Sequence, residues 1–558
     1  MATPLFFDTA LHALPSVPAE AVEHGEVFTR RWVVDLILDL VGYTPDKGLC
    51  DVKLVEPACG SGAFLGAVAS RISASCRKQG RPISDARGAV RALDLLERNV
   101  RKSRTVVEKQ LVDDGWQPAE AQQVAASWID QGDYLLQPEA TQHADYVAGN
   151  PPYIRLEDVP ADRMAVYRHA CPTMGGRADI YVGFFEVALR SLGPGGQLGF
   201  ICADRWMRNQ YGRQLRQLVT KSFSMDVALV MHDVDAFDDQ VSAYPAITII
   251  SNRSQGNAVA ADTTRVFGSA QASEFADWYA MDSSESITTA AFQAARMPHW
   301  FPDEDSWPAA SPARLAILEE LTERFQLLED GKTGTRVGIG IATGADKVFL
   351  TKDENLVEND RLLPMAMVRD TTSGTLNWDG TYLVNPWTTD GDLVDLSAYP
   401  RLAAYFEGHG AAMRKRYIAV KQPQRWYKTI DKVDHRLTRR PKLLFPDMKL
   451  TIHPVLDQGE LYPHHNLYFI VSDVWDMRVL GGLLLSKVAE AFVEAYAVKM
   501  RGGTLRFQAQ YLRKIRVPDP KAISESDKIA LAEAFDKRDV KAATEAALRV
   551  YGLAELPD

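Results

Sequence analysis

A chain of 558 residues with 46% apolar and 24% charged side chains has room for about two to four domains with real hydrophobic cores. That excludes a small stapled scaffold and a disordered or fibrous protein. The 63 Lys and Arg against 73 Asp and Glu leave a net charge of −10, so any site for a polyanion has to be a local basic patch.

The elements that follow, taken in chain order, alternate short β-branched runs with longer amphipathic ones, the pattern of βα units on a mainly parallel, doubly wound sheet. Strands are predicted at 53–55, 89–93, 144–148, 197–202, 225–230 and 246–250. Helices are predicted at 62–80 and 180–192, the second stopped by Gly193-Pro194-Gly195-Gly196. After Ser251 the texture turns polar and rich in Ala, Ser and Thr, and four prolines between 298 and 312 mark a boundary. The expected organisation is an α/β first domain over 1–305, a second domain over 306–520 with a helix at 314–328 and shorter strands, and a helical tail over 521–558. The N-terminus lacks a basic n-region, and the longest apolar stretch, 479–498, is broken by Lys487, Glu490 and Glu494, so neither a signal peptide nor a membrane span is expected. Cys50, Cys59, Cys76, Cys171 and Cys202 form no Cys-x-x-Cys pair, which points to a reduced, cytoplasmic setting without a disulfide framework or zinc site.

The first motif is Glu56-Pro57-Ala58-Cys59-Gly60-Ser61-Gly62, between an apolar strand and a helix. Small residues let a ligand approach the backbone, and the helix start offers unpaired N–H groups. A dinucleotide fingerprint needs a third glycine where Leu65 stands, so that reading fails. Asp94, ending the next strand, can accept both hydroxyls of a ribose, and Asp133 in Gly132-Asp133-Tyr134 precedes the following strand. The combination fits a nucleoside cofactor without a pyrophosphate, and S-adenosylmethionine is that kind of ligand. Gly331-Lys332-Thr333 is no phosphate loop, because the required upstream glycine is Gln326.

The second motif is Asn150-Pro151-Pro152-Tyr153 at the C-terminal end of a strand, where ligands sit in open α/β sheets. Two prolines stiffen the turn and remove donors, leaving the Asn150 oxygen and the Pro151 carbonyl as fixed acceptors. The lone pair of an adenine N6 amine is delocalised into the ring; two acceptors on its hydrogens favour a more tetrahedral nitrogen able to attack a methyl sulfonium. Tyr153 can stack on the base, which repays part of the energy of flipping it from a duplex.

Together these residues resemble the gamma group of DNA adenine-N6 methyltransferases, the Taq methylase-like enzymes with a C-terminal target-recognition domain. Gly25 to Arg30 before a helix is similar to their N-terminal cofactor motif, and Asp179-Ile180-Tyr181 also matches. The resemblance implies a Rossmann-like methyltransferase domain followed by an α+β recognition domain and C-terminal helices. It implies cofactor contacts at Thr29, Glu56, Pro57, Ala58, Gly60, Gly62, Asp94, Asp133, Tyr134 and Asn150, and a catalytic group of Asn150, Pro151, Pro152 and Tyr153. A further aromatic against the flipped base falls in the loop 235–243, at Phe237 or, as substitute, Tyr244. Val337 to Phe349 is similar to the opening of the recognition domain and Arg501 to Pro518 to its end. The implied partners are double-stranded DNA, bound by a monomer, and a cognate restriction endonuclease or defence-system subunits.

Between Arg414 and Lys442 eleven basic residues face Asp431 and Asp434, a stretch able to neutralise phosphates. Arg414, Lys415, Arg416, Lys421, Arg425, Lys428, Arg439 and Arg440, with Trp426 and Tyr427 interleaved, are the expected DNA contacts. His464 and His465, near His453, lack an accompanying ligand pattern and are read as surface or DNA-facing groups, with no metal site. Asn-Pro-Pro-Tyr also suits an RNA adenine or a protein glutamine amide; the large basic second domain favours DNA. A fused nuclease would need a carboxylate-and-lysine module for which no motif is present, and intact Asn150 to Tyr153 argues against a silent recognition subunit. The modification subunit of a larger restriction complex stays open as an alternative.

Overall fold

The computed structural model describes residues 29–557 apart from 232–233, 238–244, 282–283, 303–305 and 498–504. The chain divides into two compact units, residues up to Ala316 and from Ile317 onward. The division thus falls just past the proline-rich stretch where a boundary was expected.

The first unit is built on one ten-stranded sheet. Its strands are β1 (Leu54–Glu56), β2 (Val90–Asp94), β3 (Ile129–Gln131), β4 (Ala144–Gly149), β5 (Leu192–Ala203), β6 (Ser224–Val230), β7 (Pro245–Ser251), β8 (Ala258–Thr263), β9 (Ser286–Thr288) and β10 (Phe292–Met297). They lie in the order 3-2-1-4-5-7-6-8-10-9. β1 pairs in parallel with β2 and β4, β2 with β3, and β4 with β5. β7 is inserted antiparallel between β5 and β6. The helices are α1 (Arg31–Leu40), α2 (Ala63–Gln79), α3 (Glu97–Asp113), α4 (Pro118–Trp128), α5 (Ala161–Ala170), α6 (Tyr181–Ser191), α7 (Arg213–Ser222) and α8 (Ser269–Met281).

Side chains of α1 to α4 and α8 share one apolar cluster, and those of α5, α6 and α7 another. The sheet is therefore covered on both faces, which is why β7 is buried at all seven positions and reads as a continuous apolar run. This is the expected α/β, Rossmann-like, doubly wound domain. Two features depart from the expectation: the strand at 245–251 is antiparallel, and β8, β9 and β10 extend the sheet through a segment that looked merely polar. Parallel order reverses direction between β1 and β4, and in open α/β sheets a ligand crevice forms outside the strand ends at such a point.

The second unit is α+β. A four-stranded antiparallel sheet runs Arg336–Ile339, Leu467–Val471, Lys442–Pro446, Val455–Asp457. A smaller mixed sheet contains Leu350–Thr351, Tyr382–Val384, Leu362–Ala366 and Tyr462–Pro463. Helices Glu525–Lys537 and Val540–Tyr551, expected as a separate tail, pack on Met477–Leu485 inside this unit. Leu485, Ala534 and Ala543 form a shared apolar contact there. Among the described residues no helix is long and apolar enough to cross a membrane.

Candidate active site and basic surface

The turn after β1 takes its shape from two glycines. Gly62 caps α2 at φ +94°, and a Cβ there would stand 3.1 Å from the Cα of Ser103, so only glycine lets α2 and α3 close together. Gly60 also has positive φ, but a Cβ there would meet nothing within 4 Å; its outer side is open, as a ligand cradle requires. Ser103 Oγ donates to the Gly60 carbonyl at 2.9 Å and the Gly60 N–H donates to Asp94 Oδ2 at 2.9 Å.

A cavity lies over this turn, lined by Thr29, Glu56, Pro57, Ala58, Gly60, Asp94, Asp133, Tyr134, Asn150, Pro151 and Pro152. Nearly every residue expected to contact the cofactor is thus gathered in one place; Gly62 stands behind the turn instead. Phe64, Leu95, Leu96, Leu135, Ile154, Ile180 and Phe184 supply an apolar wall, and Tyr134 stacks on Phe184 with ring centres 5.4 Å apart.

The three acids differ in state. Asp94 accepts from Gly60 N, from Leu96 N at 2.9 Å and from Asn99 Nδ2 at 3.1 Å, so three of roughly four acceptor positions on a carboxylate are filled by protein. It clamps the glycine turn to the end of β2. Asp133 caps Leu135 N at 3.2 Å and accepts from Tyr167 OH at 2.7 Å and from the Arg163 guanidinium. Arg163 and Tyr167, one helical turn apart on α5 and themselves hydrogen-bonded at 2.6 Å, were missed from the sequence; the i, i+4 spacing beside an expected acid was the available signal. Glu56 is 2% exposed and its Oε2 has no hydrogen-bond partner among the described residues. Burial, and secondarily the charge of Asp94, hold its carboxyl well above the usual range. A buried carboxylate oxygen without a partner fits a cationic ligand. Apolar wall, open glycine turn and orphaned acid together suit S-adenosylmethionine, an adenosine carrying a sulfonium and an ammonium.

β4 delivers Asn150 at the mouth of this cavity. Asn150 Nδ2 donates to Thr29 Oγ1 at 3.1 Å, and in this orientation Oδ1 is the acceptor end of the amide. Thr29 forms a backbone bridge with Phe237. Arg30 reinforces that bridge, its Nε donating to the Phe237 carbonyl at 3.0 Å and its backbone N–H to the Ala236 carbonyl at 3.1 Å. Phe237 packs edge-on against Tyr153, ring centres 6.2 Å apart at 81°. The residues named for catalysis, 87 positions apart at the extremes, therefore form one group with Thr29. Tyr244, the substitute aromatic, lies outside the described residues.

The second unit corrects several expectations for the basic stretch. Arg416 donates to the carbonyls of Thr343 at 3.2 Å, Trp426 at 2.7 Å and Lys428 at 2.8 Å, which makes it an internal brace. Trp426 is 8% exposed beneath the Arg414 guanidinium, and Tyr427 OH is bonded to the Val394 carbonyl at 2.8 Å; both belong to the core because the chain turns inward there. Lys442 is fully buried against Asp457 at 2.6 Å. Arg440 pairs with Asp473 at 2.6 Å and Lys428 with Gln422 at 2.8 Å. Arg414, Lys415, Lys421, Arg425 and Arg439 are exposed, and the exposed aromatic of the stretch is Tyr417, at 71%. His464, expected at the surface, is 2% exposed. His453 is half-buried and bonded to the Thr371 carbonyl at 3.1 Å. Charge counting does not distinguish a brace from a phosphate contact, because both need a guanidinium.

Replacing Arg416 by Ala is expected to lower the unfolding free energy by about 2 to 3 kcal/mol, since buried carbonyls lose a charged donor; urea denaturation measures it.

The doubly wound sheet and its cradle define a Rossmann-like methyltransferase domain followed by an α+β unit. The profile of the Eco57I restriction-modification methylase family matches residues 71–237. The chain is 43% identical over 535 residues to the Type II methyltransferase M.PaeR7I of Pseudomonas aeruginosa, covering 95% of this chain and 92% of that one. It is 40% identical over 540 residues to the Type II methyltransferase M.XhoI of Xanthomonas vasicola, covering 96% and 98%. Among solved structures, the Type IIL restriction-modification enzyme MmeI in complex with DNA aligns at 12% identity and a TM-score of 0.48, over 95% of this chain and 74% of that one. The chain belongs to the Type II methyltransferases.

Proposed function

We propose that this protein is a DNA methyltransferase of the gamma, adenine-N6 kind, acting on an adenine rotated out of duplex DNA. The observation that carries the reading is the joining of Thr29, Asn150, Tyr153 and Phe237 at the mouth of the cradle. S-adenosylmethionine is the cofactor, held by Glu56, the Gly60 turn, Asp94 and Asp133. Bound there it supplies an electrophilic methyl group on a sulfonium.

The chain's own residues then hold and orient the amine. Asn150 Oδ1 and the Pro151 carbonyl accept its two hydrogens and turn its lone pair toward the cradle. Tyr153 and Phe237 hold the base by stacking and edge contact in place of the neighbours it leaves in the duplex. The prolines at 151 and 152 keep that turn rigid and add no competing N–H. Arg414, Lys415, Lys421, Arg425 and Arg439 of the second unit take the phosphates. The names of the relatives support a restriction-modification setting with a cognate endonuclease as partner.

The test is to incubate purified protein with labelled S-adenosylmethionine and unmethylated genomic DNA, in parallel with RNA and with protein extract, and to identify the product by mass spectrometry. N6-methyladenine in the DNA alone is the expected result. Label confined to RNA or protein, or on a cytosine, overturns the reading. Changing Lys415 and Arg425 to Ala is expected to weaken DNA binding and lower its salt dependence by about 0.9 per lost phosphate contact. Fluorescence anisotropy across a salt series measures that slope, and an unchanged slope moves the DNA site elsewhere.

A further inference from the structure

We propose that Asp346, His464 and His465 form a binding site for one divalent transition-metal ion of the kind Zn2+ represents, joining two loops of the second unit. The inference rests on the geometry of that unit and not on the reading of the active site.

The three side chains each place a ligand atom within 4.8 Å of the others. Two imidazoles and one carboxylate are a donor set that Zn2+ and its neighbours in the first transition row accept, with water completing the shell. Asp346 is the open side of the cluster, its side chain 44% exposed, while His464 is 2% exposed. Solvent can therefore reach the ion from one direction and supply the remaining positions.

The backbone fixes the cluster independently of any ion. His464 N–H donates to the Ala366 carbonyl at 3.0 Å, His465 N–H to the Ile341 carbonyl at 3.0 Å, and Ile341 N–H to the Pro463 carbonyl at 2.9 Å. Gly340 lies so close that a Cβ would stand 2.3 Å from the His464 carbonyl oxygen. Asp346 opens the short helix Asp346–Phe349, and its Oδ1 accepts from Thr343 Oγ1. Two loops far apart in sequence are thus held edge to edge with their ligand-type side chains converging.

The side chains leave hydrogen-bonding capacity unused. His464 Nε2 is 3.2 Å from Asp346 Oδ2, but Nδ1 of His464 and Nδ1 of His465 are both buried without a partner among the described residues. The two rings stand 4.0 Å apart, a spacing that two imidazolium cations oppose. A neutral imidazole is the metal-binding form. An ion takes one nitrogen from each ring, and a plain Asp–His hydrogen bond leaves His465 with no part in the cluster.

The turn that Asp346 ends also anchors the basic stretch. Asp431 N–H donates to the Ala342 carbonyl at 3.1 Å and Ala342 N–H to Asp431 Oδ2 at 2.8 Å. Ile430 N–H and the Arg416 guanidinium both reach the Thr343 carbonyl, at 3.3 and 3.2 Å. An ion that stiffens this turn therefore stiffens the base of the exposed cations.

The test uses the full chain without an affinity tag, since a histidine tag binds the same ions. The protein is stripped with a chelator, reconstituted with Zn2+ or Co2+ alone, passed through desalting and measured by inductively coupled plasma mass spectrometry and visible absorption. The expected result is about one ion per chain, Co2+ ligand-field bands, and a Zn2+-dependent rise in melting temperature. His465→Ala and Asp346→Ala, checked for native circular dichroism, should each lose the bound ion and the rise while binding cofactor normally. Retention below about a tenth of an ion per chain, or equal metal uptake by both variants, overturns the proposal.

Discussion

Asn150→Ala is expected to reduce methyl transfer by about a thousandfold or more, in keeping with the loss of a preorganised polar group at a reacting centre, and to change cofactor affinity by no more than about threefold, within about one hydrogen bond. The geometry argues for so unequal an effect. The amide nitrogen is bonded to Thr29 at 3.1 Å, so its oxygen is directed by a contact that exists before substrate arrives. The residues that follow are both proline, and neither can replace the lost acceptor by a side chain or rearrange the turn to do so. Single-turnover transfer of labelled methyl to DNA, beside calorimetric binding of S-adenosylmethionine, separates the two quantities. Unchanged turnover would remove Asn150 from the chemistry; loss of both together would make it a structural residue of the cradle.

The second large effect is at Glu56, whose carboxyl is held above its ordinary pKa chiefly by burial. A cationic ligand beside it favours the ionised form, so binding drives a proton off the protein. The sign follows: the ligated pKa lies below the free one, and affinity for S-adenosylmethionine rises with pH between them, by up to about tenfold per pH unit, and levels off above the free pKa. Glu56→Gln is expected to abolish that slope and to weaken binding by about 10- to 100-fold on the plateau, the size of a hydrogen bond to a charged group. Calorimetry in buffers of different ionisation enthalpy counts the proton directly. A variant with the same slope as the parent would assign the proton to another group.

The parts of the site that were legible in the sequence are those whose meaning is contiguous. Glu56 to Gly62 and Asn150 to Tyr153 each specify their own turn, through positive-φ glycines in one case and proline stiffness in the other, and both stand where the pattern placed them. Asp94 was found, but its protein partners were not, because nothing in a linear pattern says that Gly60, Leu96 and Asn99 will reach the same carboxylate. Arg163 and Tyr167 escaped notice for the converse reason: they are tied to the site by Asp133, 30 and 34 residues away. In the fold, β1, β2, β4, β5, β6 and β7 followed from apolar runs closed by turns, while the three-residue β3, buried at only one position, was too short to show in the pattern. The antiparallel direction of β7 did not, since a strand buried on both faces reads the same in either direction. In the second unit, residue type identified cations but not their depth: Lys442 is interior and Arg416 is half-buried on three carbonyls, while Lys415 and Arg425 are exposed.

Thr29 takes part in both halves of the site: it lines the cradle, its hydroxyl accepts from the Asn150 amide, and its backbone bridges to Phe237. Cofactor and target base are then not independent guests. Whatever fills the cradle restricts the same short segment that aligns the amide and carries the aromatic, and the entropy of ordering that segment is charged to whichever ligand comes first. On the proposed function the two bindings are consequently linked in sign and, by thermodynamic reciprocity, equal in size: a cofactor analogue tightens the grip on the target base by the same factor as the base tightens the grip on the analogue.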